Sequence, residues 1–234
     1  LMLDKIDFNK GVCRFGGRNY TLADSFLPTV DPADPFRLSI EEQELIGQMR
    51  HSFLSSEKLK KHIRLMLDKG SMYLVYNGNL LYHASVPMND DGSFREVELM
   101  GERVSGKALL DKADSLIRKA FSAGSRLHSG TDDEMQQQLQ KLTVEERFAL
   151  DYVWYLWCGK DSPLFDKDKM ATFECYFLKD KAVAKEHKGA YYVFRNDSEY
   201  VRQIISERAF CITFDLRKTR TYSSAGHVKI SCLV

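Results

Sequence analysis

A chain of 234 residues with 44% hydrophobic and 29% charged side chains suits one large domain or two small ones, in an ordinary globular protein. Its net charge of +1 gives no electrostatic ground for binding nucleic acid or an anionic membrane surface. No apolar run nears the roughly 18 residues needed to span a bilayer, no secretory leader pattern opens the chain, and the five cysteines include no C-x-x-C pair. That cysteine usage fits reduced thiols in a cytoplasmic protein better than a disulfide framework or a zinc site.

Residues 3–22 read as a β-hairpin turned at Gly16 and Gly17. Pro28, Pro32 and Pro35 then demand an extended loop, because each ring removes a donor and biases its predecessor away from helix. Ser39 and Glu42 form a capping box that opens a helix with Leu45, Ile46, Met49 and Phe53 as its apolar positions. A second helix follows Ser56, carries Leu59, Ile63, Met66 and Leu67 on one face, and stops at Gly70. The stretch 71–92 is the centre of the chain. Two β-prone runs flank Asn77-Gly78, the strongest short hairpin signal, since both turn positions need positive φ. The second of those strands runs out at His83. A strand-end imidazole beside small residues (Ala84, Ser85) either faces a metal or substrate or merely closes a loop.

Beyond a turn at residues 89–92, residues 94–99 read as a further strand and 108–121 as an amphipathic helix. Residues 122–142, with their Gln run, read as an exposed excursion or a weakly supported helix. Thr143 and Glu146 cap another helix that ends at Gly159, and its aromatic stripe (Phe148, Tyr152, Trp154, Tyr155, Trp157) reads as core. Residues 169–185 and 198–208 read as helices, and from residue 209 onward the periodicity collapses. The chain begins at Leu1 and stops on an apolar run, so it reads as a piece of something longer.

Nucleotide-binding, zincin and serine-hydrolase motifs are absent. The loop at residues 159–169 offers chemistry of its own: Lys167 and Lys169, with amide groups at the start of the next helix, suit a phosphate. It reads equally well as a solvated linker. Glu174, on that next helix, could bring a carboxylate to a cleft, although a surface glutamate is the default.

In order along the chain stand SEKL and HIR (56–64), YNGNLLYH (76–83), SGKALLD (105–111), WYLWCG (154–159), SPLF (162–165) and KMATFECYF (169–177). Together they resemble the class III fructose-1,6-bisphosphatases of bacteria over residues 3–205. The resemblance implies an α+β (α/β/β/α) fold, part of the calcineurin-like metallophosphoesterase double β-sandwich with family-specific helical insertions. It implies a partial domain over residues 1–208 and a divergent tail over 209–234. It also implies hydrolysis of fructose 1,6-bisphosphate to fructose 6-phosphate in gluconeogenesis, with Mn2+ or another divalent metal. Fructose 1,6-bisphosphate is then the partner, together with copies of the chain in a homo-oligomer, and neither nucleic acid nor membrane.

In that superfamily two metals about 3.5–4 Å apart polarise the phosphate and generate hydroxide. By the resemblance His83 is a metal ligand, and Gly226-His227 echoes the last ligand of the series. Asn77, Lys167, Lys169 and Glu174 are the candidates for positioning phosphate, Asn77 serving the turn as well. The D-x-H, G-D-x-x-D-R-G and G-N-H-E motifs that supply the remaining ligands and the catalytic acid do not occur. The isolated chain is therefore expected to be inactive, either as a fragment of an enzyme or as a non-catalytic relative that only folds or binds. The family usually has Gly-Cys where this chain has Ala84-Ser85, glycine at the position of Asp166, and arginine at that of Cys175.

Overall fold

The computed structural model describes residues 2–76, 79–128, 130–199 and 231–232. In chain order the elements are β1 (Ile6–Asp7), β2 (Val12–Phe15), β3 (Arg18–Thr21), α1 (Ile40–Ser55), α2 (Glu57–Lys69), β4 (Tyr73–Tyr76) and β5 (Asn79–Tyr82). There follow β6 (Val97–Leu99), β7 (Glu102–Val104), α3 (Gly106–Gly124), α4 (Asp132–Gln140), α5 (Val144–Cys158), α6 (Thr172–Phe177), α7 (Tyr191–Phe194) and β8 (Ser231–Cys232). Helices and small sheets mix in an α+β arrangement. They divide into two compact units, one of Leu1–Lys60 with Met170–Glu186, the other of Lys61–Lys169 with His187–Val234.

The first unit holds the antiparallel sheet β1-β2-β3, whose tight turn places Gly16 and Gly17 at φ +55° and +73°. Glycine takes such angles without a Cβ clash, so the expected hairpin forms. Its register sets Cys13 opposite Tyr20, and Phe15 stacks on Tyr20 with centroids 4.4 Å apart. Cys13, Leu22 and Leu178 make a small buried core, and burial pushes the Cys13 thiol up.

The expected helix over 169–185 shrinks to α6. Leu178 turns extended and bridges antiparallel to Leu22, with the Lys179 amide donating to Thr21 O (3.0 Å) and the Ala23 amide to Phe177 O (2.7 Å). Sheet pairing and burial of Leu178 outweigh local helix propensity there. α1 has its capping box, Ser39 Oγ accepting from the Glu42 amide (3.2 Å) and Glu42 Oε2 from the Ser39 amide (2.8 Å). No residue of α1 is buried, so Leu45, Ile46, Met49 and Phe53 do not form the inward face that their spacing predicts.

The second unit carries the larger core. β4 and β5 pair antiparallel with Leu74 opposite Leu81, and β8 adds parallel to β5. The Asn77-Gly78 turn lies outside the described residues. β6 and β7 form a hairpin in which Met100 (φ +54°) and Gly101 (φ +79°) make a two-residue turn. The sequence reading missed β7 because methionine is not a residue that announces such a turn. α3 buries Leu109, Leu110, Ala113, Leu116 and Ala120, and α5 buries Ala149, Tyr152 and Leu156 in the same cluster. The α5 aromatic stripe divides. Phe148, Tyr152 and Tyr155 pack inward, whereas Trp154 and Trp157 point outward at 73% and 65% exposure, because their positions fall on the opposite side of a 3.6-residue turn.

α4 is a formed helix, opened by a capping box of Thr131 and Glu134 that the sequence reading overlooked within a polar stretch. The same device opens α5, where Thr143 Oγ1 accepts from the Glu146 amide (3.2 Å). Thr143→Ala should destabilise this unit by about 0.5–2 kcal/mol, read as a lower urea midpoint at unchanged slope. No loss at all would mean that the α5 start is held by other contacts. The helix expected over 198–208 and the changed pattern after residue 209 fall largely outside the described residues. No helix among the described residues is long and apolar enough to cross a membrane.

Candidate active-site cleft around His83

β5 delivers its last residue, Tyr82, into the core, where the Tyr82 and Tyr191 hydroxyls bond at 2.8 Å. The period of two along a strand then turns His83 outward, and it is exposed. Ala84 follows at φ +54°, a left-handed angle that costs an L-residue roughly 1–2 kcal/mol relative to glycine. Ser85, Val86 and Pro87 run straight back into the interior. Two backbone bonds hold this descent: the Ser85 amide donates to Pro163 O (3.2 Å) and the Arg95 amide to Pro87 O (3.0 Å). His83 borders a cleft of about 380 Å³ whose lining includes Lys69, Ser71, Tyr73, Leu74 and Leu164. That volume accommodates a small organic ligand.

The loop at 159–169 lies under this descent. Ser162 Oγ donates to Leu156 O (2.6 Å) and accepts from the Phe165 amide (3.0 Å), while the Asp166 amide donates to Ser162 O (2.8 Å). The Asp161 amide donates to Lys167 O (3.1 Å), and Asp161 pairs with Arg95. The turn drives Asp166 inward at φ +43° and 1% exposure. Burial pushes its carboxyl up to about 6, the nearby Asp161 adds to this, and Ser85 and Arg95 offset part of it. Neither Ser85 Oγ nor Asp166 Oδ2 reaches hydrogen-bonding geometry with a described group. The carboxyl occupies the space beside Gly189, where a Cβ would collide with it.

Among the expected site residues, His83 and the 159–169 loop do belong to one neighbourhood. Lys167 is half-buried with Nζ 5.1 Å from the Phe165 ring centroid, and its backbone bridges to Lys188. Lys169 is half-buried at the end of the same loop. Glu174 belongs to the first unit, on α6, where its charge acts on Cys13. Cys175 is an exposed thiol on that helix. Asn77 and His227 lie outside the described residues. Two features escaped the sequence reading. One is the Asp166–Ser85 contact, two buried polar residues 81 positions apart. The other is Asp168, whose Oδ2 lies 3.0 Å from His187 Nδ1 while Oδ1 accepts from the His187 amide (2.8 Å), which holds the Asp168 carboxyl below its usual range. Only the expected glycines at 84 and 166 hinted at the first, and the structure supplies their reason: both positions have left-handed backbone.

Among the described residues no three His, Cys, Asp or Glu side chains converge as a cation cradle. The described residues by themselves therefore do not fit a divalent metal centre, and no chemical step is assigned to one here.

The family model for Firmicute fructose-1,6-bisphosphatase matches residues 1–232, including residues beyond the expected boundary at 208. Curated relatives named fructose-1,6-bisphosphatase class 3 include that of Bacteroides fragilis, 50% identical over 232 residues, which cover 99% of this chain and 32% of the relative. That of Bacteroides thetaiotaomicron is 52% identical with the same coverage, and that of Clostridium novyi is 45% identical over 98% of this chain and 31% of the relative. No solved structure matches. The chain is a member of the Firmicute fructose-1,6-bisphosphatase family, and it spans about a third of the length of the curated relatives it matches.

Proposed function

We propose that this chain is one part of a class 3 fructose-1,6-bisphosphatase, a phosphoric monoester hydrolase of gluconeogenesis, and that turnover belongs to the whole polypeptide. The observation that carries this reading is 50% identity sustained across 99% of the chain. In the whole enzyme His83 contributes one ligand to a divalent metal centre, with Mn2+ as the metal, and His227 contributes another. Lys167 and Lys169, on the loop under the His83 descent, offer positive charge to a substrate phosphate, with Asn77 and Glu174 as supporting candidates. The remaining ligands and the catalytic acid come from a calcineurin-like core carried by the rest of the polypeptide. The enzyme works in the cytoplasm as a homo-oligomer.

The test is phosphate release from fructose 1,6-bisphosphate with added manganese. This chain alone would be compared with a chimera in which it replaces the matching third of the Bacteroides thetaiotaomicron relative. The chain alone should be silent and the chimera active. His83→Ala in the chimera should cost more than the roughly 10–100-fold lost when an outer-shell partner of a metal is removed. Turnover by the chain alone that vanishes in His83→Ala would sink the divided-site reading. A second reading, a non-catalytic relative, is favoured by one observation: beneath His83, Ala84 and Asp166 occupy left-handed backbone and the Asp166 carboxyl is buried at a cost that Ser85 and Arg95 offset only in part. A folded but silent chimera would select it.

A further inference from the structure

We propose that Lys69 is a substrate-binding residue of the His83 cleft, holding the phosphate group of the bisphosphate that is not cleaved, and that Arg118 positions it. This deepens the reading of the chain as one part of a class 3 fructose-1,6-bisphosphatase and rests on it. β4 and β5 pair antiparallel with Tyr73 opposite Tyr82. The residues just before β4 and the residue just after β5 therefore emerge at one end of the hairpin. α2 stops at Lys69, and only Gly70, Ser71 and Met72 separate it from β4. Lys69 and His83 accordingly line the same cleft of about 380 Å³. Among the described residues of that lining none is acidic, and Lys69 is the one lysine or arginine.

A lysine in the last turn of a helix is ordinarily explained by the negative end of the helix dipole. Here Arg118 answers that end. Its guanidinium donates to Leu67 O and to Gly70 O, the second at 2.9 Å, and Asp114, one turn earlier on α3, holds it through Nε at 2.7 Å. α3 is itself fixed in the core by Leu109, Leu110 and Leu116. The last turn of α2 is thus tied to a core helix through its own carbonyls. Lys69 is exposed, and among the described residues no ion pair or hydrogen bond engages its ammonium. A sugar bisphosphate presents two charged phosphates. His83, as read above, belongs with the phosphate being cleaved, which leaves the second to be held elsewhere in the same cleft. A lysine fixed at the rim supplies charge-assisted hydrogen bonds for it. Such a contact is the same before and during the reaction, so it acts on KM and leaves kcat.

The test compares the chimera described above with its Lys69→Met and Lys69→Arg variants, on fructose 1,6-bisphosphate and on fructose 1-phosphate, which lacks the second phosphate. Lys69→Met should raise KM for the bisphosphate roughly 10–100-fold, the loss of a charge-assisted hydrogen bond, with kcat within about 3-fold. On fructose 1-phosphate the same variant should match the parent. Lys69→Arg should restore most of the affinity. Arg118→Gln should also raise KM for the bisphosphate, yet add little once Lys69 is replaced, whereas a merely structural arginine would cost the same in both backgrounds. Equal KM values for the bisphosphate in parent and Lys69→Met overturn the inference, as does an equal loss on both substrates. Binding is read separately, without turnover, by nuclear magnetic resonance on this chain. Millimolar fructose 1,6-bisphosphate should shift the amide signals of residues 69–71 in the native chain and not in Lys69→Met. No shift in the native chain, or the same shift in the variant, also overturns the inference. A silent chimera with Lys69-dependent binding rejects only the enzyme reading, and an active chimera indifferent to Lys69→Met rejects the role of Lys69 alone.

Discussion

Replacing Asp166 by asparagine should raise the stability of the chain at neutral pH and remove a fall in stability that the native chain shows between about pH 4 and 6. The buried carboxyl titrates at about 6, against 3.8 for the exposed group. Between those values the folded state binds more protons than the unfolded state, so stability declines as pH rises. Below both values the two states are equally protonated and nothing is lost. Above both, the full cost is present, roughly 3 kcal/mol from a difference of about two pH units at 1.36 kcal/mol each. Asparagine carries no charge to desolvate and tolerates the left-handed backbone that Asp166 adopts at φ +43°. Its amide would also face Ser85 Oγ, which reaches hydrogen-bonding geometry with no described group. Urea unfolding of both proteins at pH 4.5 and 7.5 decides the matter. The two curves should lie closer at the lower pH, where roughly a third of the cost is already present, and stand furthest apart at the higher one. Parallel pH profiles would show that the carboxyl is not held at raised affinity for its proton.

The second large effect separates real core from apparent core. Leu109 is 1% exposed in the cluster shared by α3 and α5, so Leu109→Ala should cost about 2–5 kcal/mol through lost contacts and the cavity left behind. Leu45 has the same chemistry and a comparable place in its helix pattern, but it is 57% exposed, so Leu45→Ala should fall within about 0.5 kcal/mol in the isolated chain. Denaturant midpoints at constant slope measure both. Equal losses would mean that α1 is packed in the isolated chain after all.

Much of the architecture could be read directly from residue patterns. The Gly16-Gly17 turn, the Ser39 and Thr143 capping boxes and the β4–β5 hairpin are local devices whose chemistry acts within a few residues. A sequence therefore displays them whole. The pattern failed where distant segments intervene. α6 ends early because Leu178 pairs with Leu22, a partner more than 150 positions away that no helical period can announce. The α5 stripe looked uniformly interior because all its aromatics are apolar, yet only one side of the helix meets α3. The same limit applies to the site. His83 was legible as a strand-end imidazole. The buried carboxyl beneath it was not, because an aspartate in a Lys-rich loop looks solvated until the fold turns it inward.

By itself, then, the sequence determined the family, the starts of α1 and α5, the central hairpin and the placing of His83 at its end, all carried by spelling or by local backbone chemistry. Only the tertiary structure decided which apolar faces are core and which stand exposed. It also brought the 159–169 loop under Ser85 and placed Asp166 out of water. Burial is a property of how distant segments meet, and a side chain's cost or benefit is set by that meeting.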